Sequence, residues 1–179
     1  PTLQEIPGNV GGYAVGVSLL DLDSDGHIDI ACGQEDGQNT AWSSVFTGDG
    51  HGNFTKGTAF ACGGGTLYSV DLNNDGLLDL VNSDHWSGQP RWALSNGKGW
   101  FSLIATQGGA GYAGRMQTYD FDGDGYYDLF ESFDSRTLLY VNNGDGTFPL
   151  GVAYILNAVI PVCGDFNEDG QPDAVMWNA

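Results

Sequence analysis

The apolar residues of this 179-residue chain fall in short runs separated by clusters of Gly, Asp and Asn. No long stretch repeats them at the 3.6-residue spacing of an amphipathic helix, and short runs bounded by turn-forming residues predict β-strands. The runs recur in a fixed order. One precedes each of four Asp-rich segments (17–20, 67–70, 116–119, 159–162), and a second follows each of them (28–31, 78–81, 127–130, 174–177). A third run spans 42–47, 91–95 and 137–141, and a fourth spans 54–60, 100–105 and 148–155. Between the third and fourth lie TGDGHGNF, SNGKGWF and NNGDGTF. Their Asn, Asp and Gly accept positive φ, which is the chemistry of a β-hairpin turn.

The Asp-rich segments DLDSDGHIDI, DLNNDGLLDL, DFDGDGYYDL and DFNEDGQPDA align without gaps. They start at residues 21, 71, 120 and 165, so the spacings are 50, 49 and 45. Two motifs in constant order at one period define a repeat. Four short strands per repeat of roughly 45–50 residues is the signature of a propeller blade. The expectation is an all-β single domain over 1–179, a β-propeller or part of one. Its blades are four-stranded antiparallel sheets, about three and a half repeats, with a metal loop in the first hairpin of each. Residues 2–6 add a strand with no blade before it, and the last repeat stops after its second strand. Unpaired sheet edges are normally paired, covered or charged. The terminal strands are therefore expected to pair with another copy, another chain or each other.

Each loop reads D-x-[DN]-x-D-G-x-x-D, at 21–29, 71–79, 120–128 and 165–173. Calcium takes six to eight hard oxygens, and a short chain segment supplies them by curling around the ion. The expected ligands in the first loop are Asp21, Asp23, Asp25, the His27 carbonyl and Asp29. The second offers Asp71, Asn73, Asp75, the Leu77 carbonyl and Asp79. The third offers Asp120, Asp122, Asp124, the Tyr126 carbonyl and Asp128, and the fourth Asp165, Asn167, Asp169, the Gln171 carbonyl and Asp173. Up to four Ca2+ ions follow. An EF-hand would need a bidentate Glu at position 12 and flanking helices. Those places hold Cys32, Asn82, Glu131 and Met176, so three of four fail. Asx-turns without metal are the competing account. Four aligned loops, each with three or four carboxylates in mutual repulsion, weigh against it.

These loops and hairpins resemble the FG-GAP/VCBS repeats of integrin α-subunit propellers and of many secreted microbial and fungal proteins. The resemblance spans essentially the whole chain, although the Phe-Gly and Gly-Ala-Pro elements of the integrin version are absent. It implies a secreted or cell-surface propeller with calcium beneath each blade. It does not imply one activity, because relatives include adhesion heads, lectins and accessory domains of degradative enzymes.

Charge sharpens the picture. The formal net charge is −18 with Lys+Arg only 5, which opposes binding to a nucleic-acid backbone or an anionic membrane. Fourteen of the acidic residues sit at loop ligand positions, so four divalent ions would bring the charge to −10. No apolar stretch approaches the roughly 18 residues of a membrane-spanning helix, and the first residues show no signal-peptide pattern. Cys32, Cys62 and Cys163 form no CxxC pair and are expected as small buried hydrophobes, with Cys32–Cys62 pairing the alternative. No GxSxG element or transition-metal His cluster is present, and no catalytic residue is assigned. Most of the five Trp are expected between blades. The segment SDHWSGQPRW gathers Asp84, His85, Trp86, Gln89 and Arg91 and is the candidate ligand-contacting loop. Asn53, in the sequon Asn53-Phe54-Thr55, is the candidate glycosylation site. The function expected is recognition of a glycan or an extracellular protein. The alternatives are a self-assembling building block whose open terminal blades are completed by neighbouring chains, and an accessory domain of a polysaccharide-degrading enzyme.

Overall fold

A computed structural model describes residues 13–35, 41–57, 62–84, 90–98, 100–106, 113–133, 136–149, 152–154 and 158–178. They form an all-β array of four antiparallel sheets. The first blade is β1 (Tyr13–Leu20), β2 (Asp29–Glu35), β3 (Ala41–Gly48) and β4 (Phe54–Lys56). The second is β5 (Thr66–Val70), β6 (Asp79–Ser83), β7 (Pro90–Ser95) and β8 (Phe101–Thr106). The third is β9 (Ala113–Tyr119), β10 (Asp128–Phe133), β11 (Arg136–Tyr140) and β12 (Val152–Tyr154). The fourth contributes β13 (Ala158–Gly164) and β14 (Asp173–Asn178). Within each sheet the strands lie in sequence order, which is the meander of a propeller blade. Among the described residues the sheets do not close into a ring. The strand expected at residues 2–6 lies outside the described residues.

The hairpin turns follow the expected chemistry. Asp49, Asn96 and Asn143 each donate a backbone N–H to the carbonyl four residues on, at 3.1, 3.1 and 2.9 Å. Two of the three fourth strands are shorter than the apolar runs suggested: β4 ends at Lys56, and β12 begins at Val152 rather than at Phe148. Phe148 instead turns inward and meets Trp92 edge-on, with ring centroids 4.7 Å apart.

The core lies between the sheets. Leu20, Leu22, Ala31 and Val45 of the first blade pack with Leu67 and Leu80 of the second. Val70, Leu72, Val81 and Trp92 of the second pack with Met116, Leu129, Tyr140 and Phe148 of the third. Trp92 therefore fills a seam as expected, whereas Trp100 is exposed beside a hairpin turn. Where the first two blades meet, their backbones approach too closely for side chains: a Cβ on Gly33 would lie 2.4 Å from the Gly65 carbonyl oxygen. Cys32 and Cys62 are buried and unbridged, and burial pushes the Cys62 thiol up to about 12.

Candidate metal centre

Strands flank all four Asp-rich loops, so the EF-hand alternative is excluded by the fold. The loops share one backbone course. Position 4 has positive φ in every copy: Ser24 (61°), Asn74 (55°), Gly123 (77°) and Glu168 (60°). Position 6 is a glycine with φ between 80° and 92° throughout. These two left-handed residues turn the chain back on itself, so that side chains at positions 1, 3 and 5 face inward. Glutamate is a poor occupant of this region, and asparagine a better one. Glu168→Asn should therefore raise stability by about 0.5–1 kcal/mol. Thermal melting in saturating calcium reads the gain; a lower melting temperature would contradict it.

Backbone amides hold the carboxylates in place. The position-1 Asp accepts from the amides of positions 5 and 6 in loops 1, 2 and 4. Examples are Asp25 N to Asp21 at 3.1 Å and Gly26 N to Asp21 at 2.9 Å. In loop 3 Asp120 accepts from Gly123 and Gly125. The position-5 Asp accepts from the amide of position 7 at 2.8–2.9 Å in every loop.

Position 3 divides the loops into two kinds. In loops 2 and 4 the Asn amide nitrogen donates to the neighbouring Asp, Asn73 to Asp75 at 3.1 Å and Asn167 to Asp169 at 3.0 Å. These loops partly satisfy themselves. Loops 1 and 3 carry Asp there, which has no donor to offer. Carboxylate oxygens of Asp21, Asp23 and Asp29 lie within 4.8 Å of one another, and so do those of Asp120, Asp122 and Asp124. Asp23 Oδ1 is buried with no hydrogen-bond partner. Burial, followed by the charges of Asp29 and Asp25, raises the Asp23 pKa. Converging hard oxygens, with Asp23 Oδ1 left without a donor, fit a hard divalent cation.

The position-9 Asp does something the sequence pattern did not reveal. It begins the second strand, so Ile28, Leu78 and Tyr127, expected as strand residues, stand outside and exposed. Its two oxygens clasp two backbone amides. Asp29 accepts from Leu22 and Gly48, both at 2.7 Å. Asp79 accepts from Leu72 (2.9 Å) and Ser95 (2.8 Å), and Asp128 from Phe121 and Asn142 (both 2.8 Å). Asp173 accepts from Phe166 at 3.0 Å. The clasp ties the metal loop to the end of the third strand. Asp29, Asp79 and Asp128 are wholly buried, and burial pushes the Asp79 carboxyl up to about 6.

Position 7, expected to offer its carbonyl, also uses its side chain. A Cβ on the hairpin glycines Gly50, Gly97 and Gly144 would meet His27, Leu77 and Tyr126 at 2.4, 3.2 and 2.9 Å. The position-7 side chain therefore covers the other turn of its own blade. Loops of adjacent blades touch where Asn74 donates to the Gly125 carbonyl at 3.0 Å. An open groove of about 600 Å3 between loops 3 and 4 is lined by Tyr119, Asp120, Tyr127, Asp165 and Gln171, among others.

The other candidates fare differently. Asp84 and Arg91 form an ion pair at 3.4 Å, with the Asp84 side chain buried, so they anchor the base of their loop. His85, Trp86 and Gln89 lie outside the described residues. Asn53 is exposed on its hairpin turn; its amide donates to Asp49 at 2.6 Å, and this bond helps to hold the Asp49 carboxyl down at about 2.

An FG-GAP-like repeat model matches residues 21–82, 71–131 and 120–176, one match beginning at each of the first three metal loops. The chain belongs to the FG-GAP-like repeat family. Its four sheets are thus propeller-type blades. No curated protein matches the sequence. Among solved structures, a matching chain comes from the Agrocybe aegerita lectin described as recognising non-reducing terminal N-acetylglucosamine. It is 23% identical, with a TM-score of 0.48 over 90% of this chain and 42% of that chain. The FG-GAP-like chain described here thus spans less than half the length of that lectin. Among the described residues no helix is long and apolar enough to cross a membrane.

Proposed function

We propose that this FG-GAP-like array is a secreted, calcium-stabilised propeller module that recognises a glycan or an extracellular protein and does not catalyse. The observation that carries the metal half is the convergence of carboxylate oxygens in loops 1 and 3, with Asp23 Oδ1 left without a donor. All four loops would hold Ca2+ through their position 1, 3, 5 and 9 side chains and the position-7 carbonyl. Bound calcium would offset the mutual repulsion of the loop carboxylates and lock the turn of each first hairpin. Recognition then falls to surfaces between and beside the loops. The groove flanked by loops 3 and 4, with exposed Tyr127 and polar neighbours, is one such surface. Exposed Asn53 is available for glycosylation in a secretory pathway.

Calcium titration followed by thermal melting tests the metal half. A ligand at a hundredfold excess over its Kd stabilises the native state by about 2.7 kcal/mol per site. For a chain of this size that raises the melting temperature by roughly 5–10 °C per site. Asp23→Ala together with Asp122→Ala, which takes a ligand from two of the four loops, should remove about half of the gain. A melting temperature unchanged between calcium and chelator would overturn the proposal. A glycan array read in calcium tests the recognition half separately.

A further inference from the structure

Two tyrosines of the third blade have no counterpart in the first two. Tyr119 precedes its metal loop at the place where the other blades put buried Leu20 and Val70. Tyr127 is position 8 of the loop, where they put Ile28 and Leu78. Aliphatic side chains serve the fold at both places, so the repeat does not require phenol rings there. Both tyrosines line the open groove of about 600 Å3 between loops 3 and 4. Tyr127 is 44% exposed, and Tyr119 is steadied by an edge contact with Phe121, ring centroids 5.8 Å apart.

A second difference opens that groove. Loops 2 and 3 are bridged by Asn74, whose amide nitrogen donates to the Gly125 carbonyl at 3.0 Å. Loop 3 has Gly123 at the place of Asn74, and loop 4 has Gly170 at the place of Gly125. Gly123 has no side chain to span the gap, and a Cβ added there would meet nothing within 4 Å. The resulting volume lies within the roughly 300–1,000 Å3 of small-molecule sites.

The lining sets the chemistry. None of the lining residues carries a positive charge, so a phosphate, sulfate or carboxylate group finds no partner side chain. Asp120 and Asp165 offer carboxylate oxygens. Asn74 and Gln171 commit their amide nitrogens to the carbonyls of Gly125 and Gly170, at 3.0 and 3.2 Å, which leaves their amide oxygens to accept. Calcium in loops 3 and 4 would offset the two Asp charges, so the groove does not call for a cation. It calls for several uncharged donors and an apolar face. A sugar ring supplies both, with hydroxyls that donate and a C–H face that lies on an aromatic ring.

We propose that the groove between loops 3 and 4 binds a neutral saccharide, stacked on Tyr127 with hydroxyls on the Asn74 and Gln171 amide oxygens. This site rests on the calcium-loaded recognition function proposed above and gives it a place and a ligand class.

An array of neutral, acidic and amine-bearing glycans, read in calcium, tests it. Wild type should bind neutral glycans, with signals that hold from low to high salt. Tyr127→Ala removes the platform and should weaken binding about tenfold, whereas Tyr127→Phe should retain it. Gly123→Asn installs in loop 3 the bridge that Asn74 makes in loop 2. Asparagine tolerates the φ of 77° at that place, so this variant should fold and lose binding altogether. Melting in calcium should find Tyr127→Ala level with wild type and Gly123→Asn level or above it. Gln171→Ala, on an exposed side chain, repeats the test should Gly123→Asn fail to fold. A wild type that binds only acidic or amine-bearing glycans would overturn the proposal. One that binds no glycan would overturn it together with glycan recognition itself. Neutral binding that is undiminished in Tyr127→Ala and Gly123→Asn would overturn the groove alone and leave glycan recognition standing.

Discussion

Replacing Asp79 with alanine is expected to destabilise the protein by about 2–5 kcal/mol, more than any loop ligand exposed to solvent. The reason is the clasp. The buried Asp79 carboxylate takes the Leu72 amide on one oxygen and the Ser95 amide on the other, at 2.9 and 2.8 Å. Alanine leaves two buried N–H groups without an acceptor, each costing about 1–3 kcal/mol. Part of that loss is offset, because removing a carboxylate relieves the burial that raises its pKa to about 6. Asp79→Asn keeps one acceptor oxygen but turns an N–H2 toward the second amide, so it should lose about half as much. The order wild type, Asn, Ala should hold in chelator as well as in calcium, which separates the clasp from any role as a metal ligand. Denaturant unfolding reads the series. An alanine variant within about 0.5 kcal/mol of wild type would show that the clasp is dispensable.

The repeat made much of the architecture legible. Fixed spacing of the Asp loops located the first hairpin of each blade, and the Asn/Gly turns located the second. The apolar runs were less exact guides at their ends. Ile28, Leu78 and Tyr127 look like strand residues because they are apolar and adjoin a strand. The strand in fact starts one residue later, at the Asp whose carboxylate satisfies two backbone donors. That role is invisible in a motif where every Asp invites the same explanation as a metal ligand. Asp84 and Arg91 show a partnership that composition does not reveal. Their polarity in a Gly/Pro-containing segment suggested ligand contact, but the fold turns them toward each other. Which of two polar residues faces solvent depends on tertiary packing, which local composition does not encode. Glu131 is the strongest case. At position 12 of its loop it resembles the EF-hand glutamate, yet it points into the seam between the second and third blades. Its partner there, Ser83, is 48 residues away in sequence.

That buried glutamate should make the protein lose stability as the medium becomes alkaline. Glu131 is wholly buried on β10, with Oε1 accepting from Ser83 Oγ at 2.9 Å. Its Oε2 has no hydrogen-bond partner among the described residues. Burial pushes its pKa up to about 8; the Ser83 hydroxyl opposes that shift and the nearby Asp84 charge adds to it. Tyr140, whose own pKa is raised by burial and by Glu131, faces the same space. In the unfolded chain the carboxyl ionises near 4.5. Between that value and about 8 the native state therefore holds a proton that the unfolded state has released. Stability from this group is full below pH 4.5 and falls as pH rises toward 8. The slope approaches 1.4 kcal/mol per pH unit for one proton, so the loss between pH 6.5 and 8 is on the order of 2 kcal/mol. Above pH 6.5 most of the Asp79 carboxyl, pushed up to about 6 by burial, has already ionised, and its remainder is common to both proteins in the comparison that follows. Saturating calcium holds the loop carboxylates in one state. Glu131→Gln keeps an acceptor for Ser83 while removing the ionisable group, so its melting temperature should stay nearly level over the same range. It should also exceed that of the wild type at pH 8.5. If the two proteins lose stability in parallel with pH, Glu131 is not the group that carries the dependence.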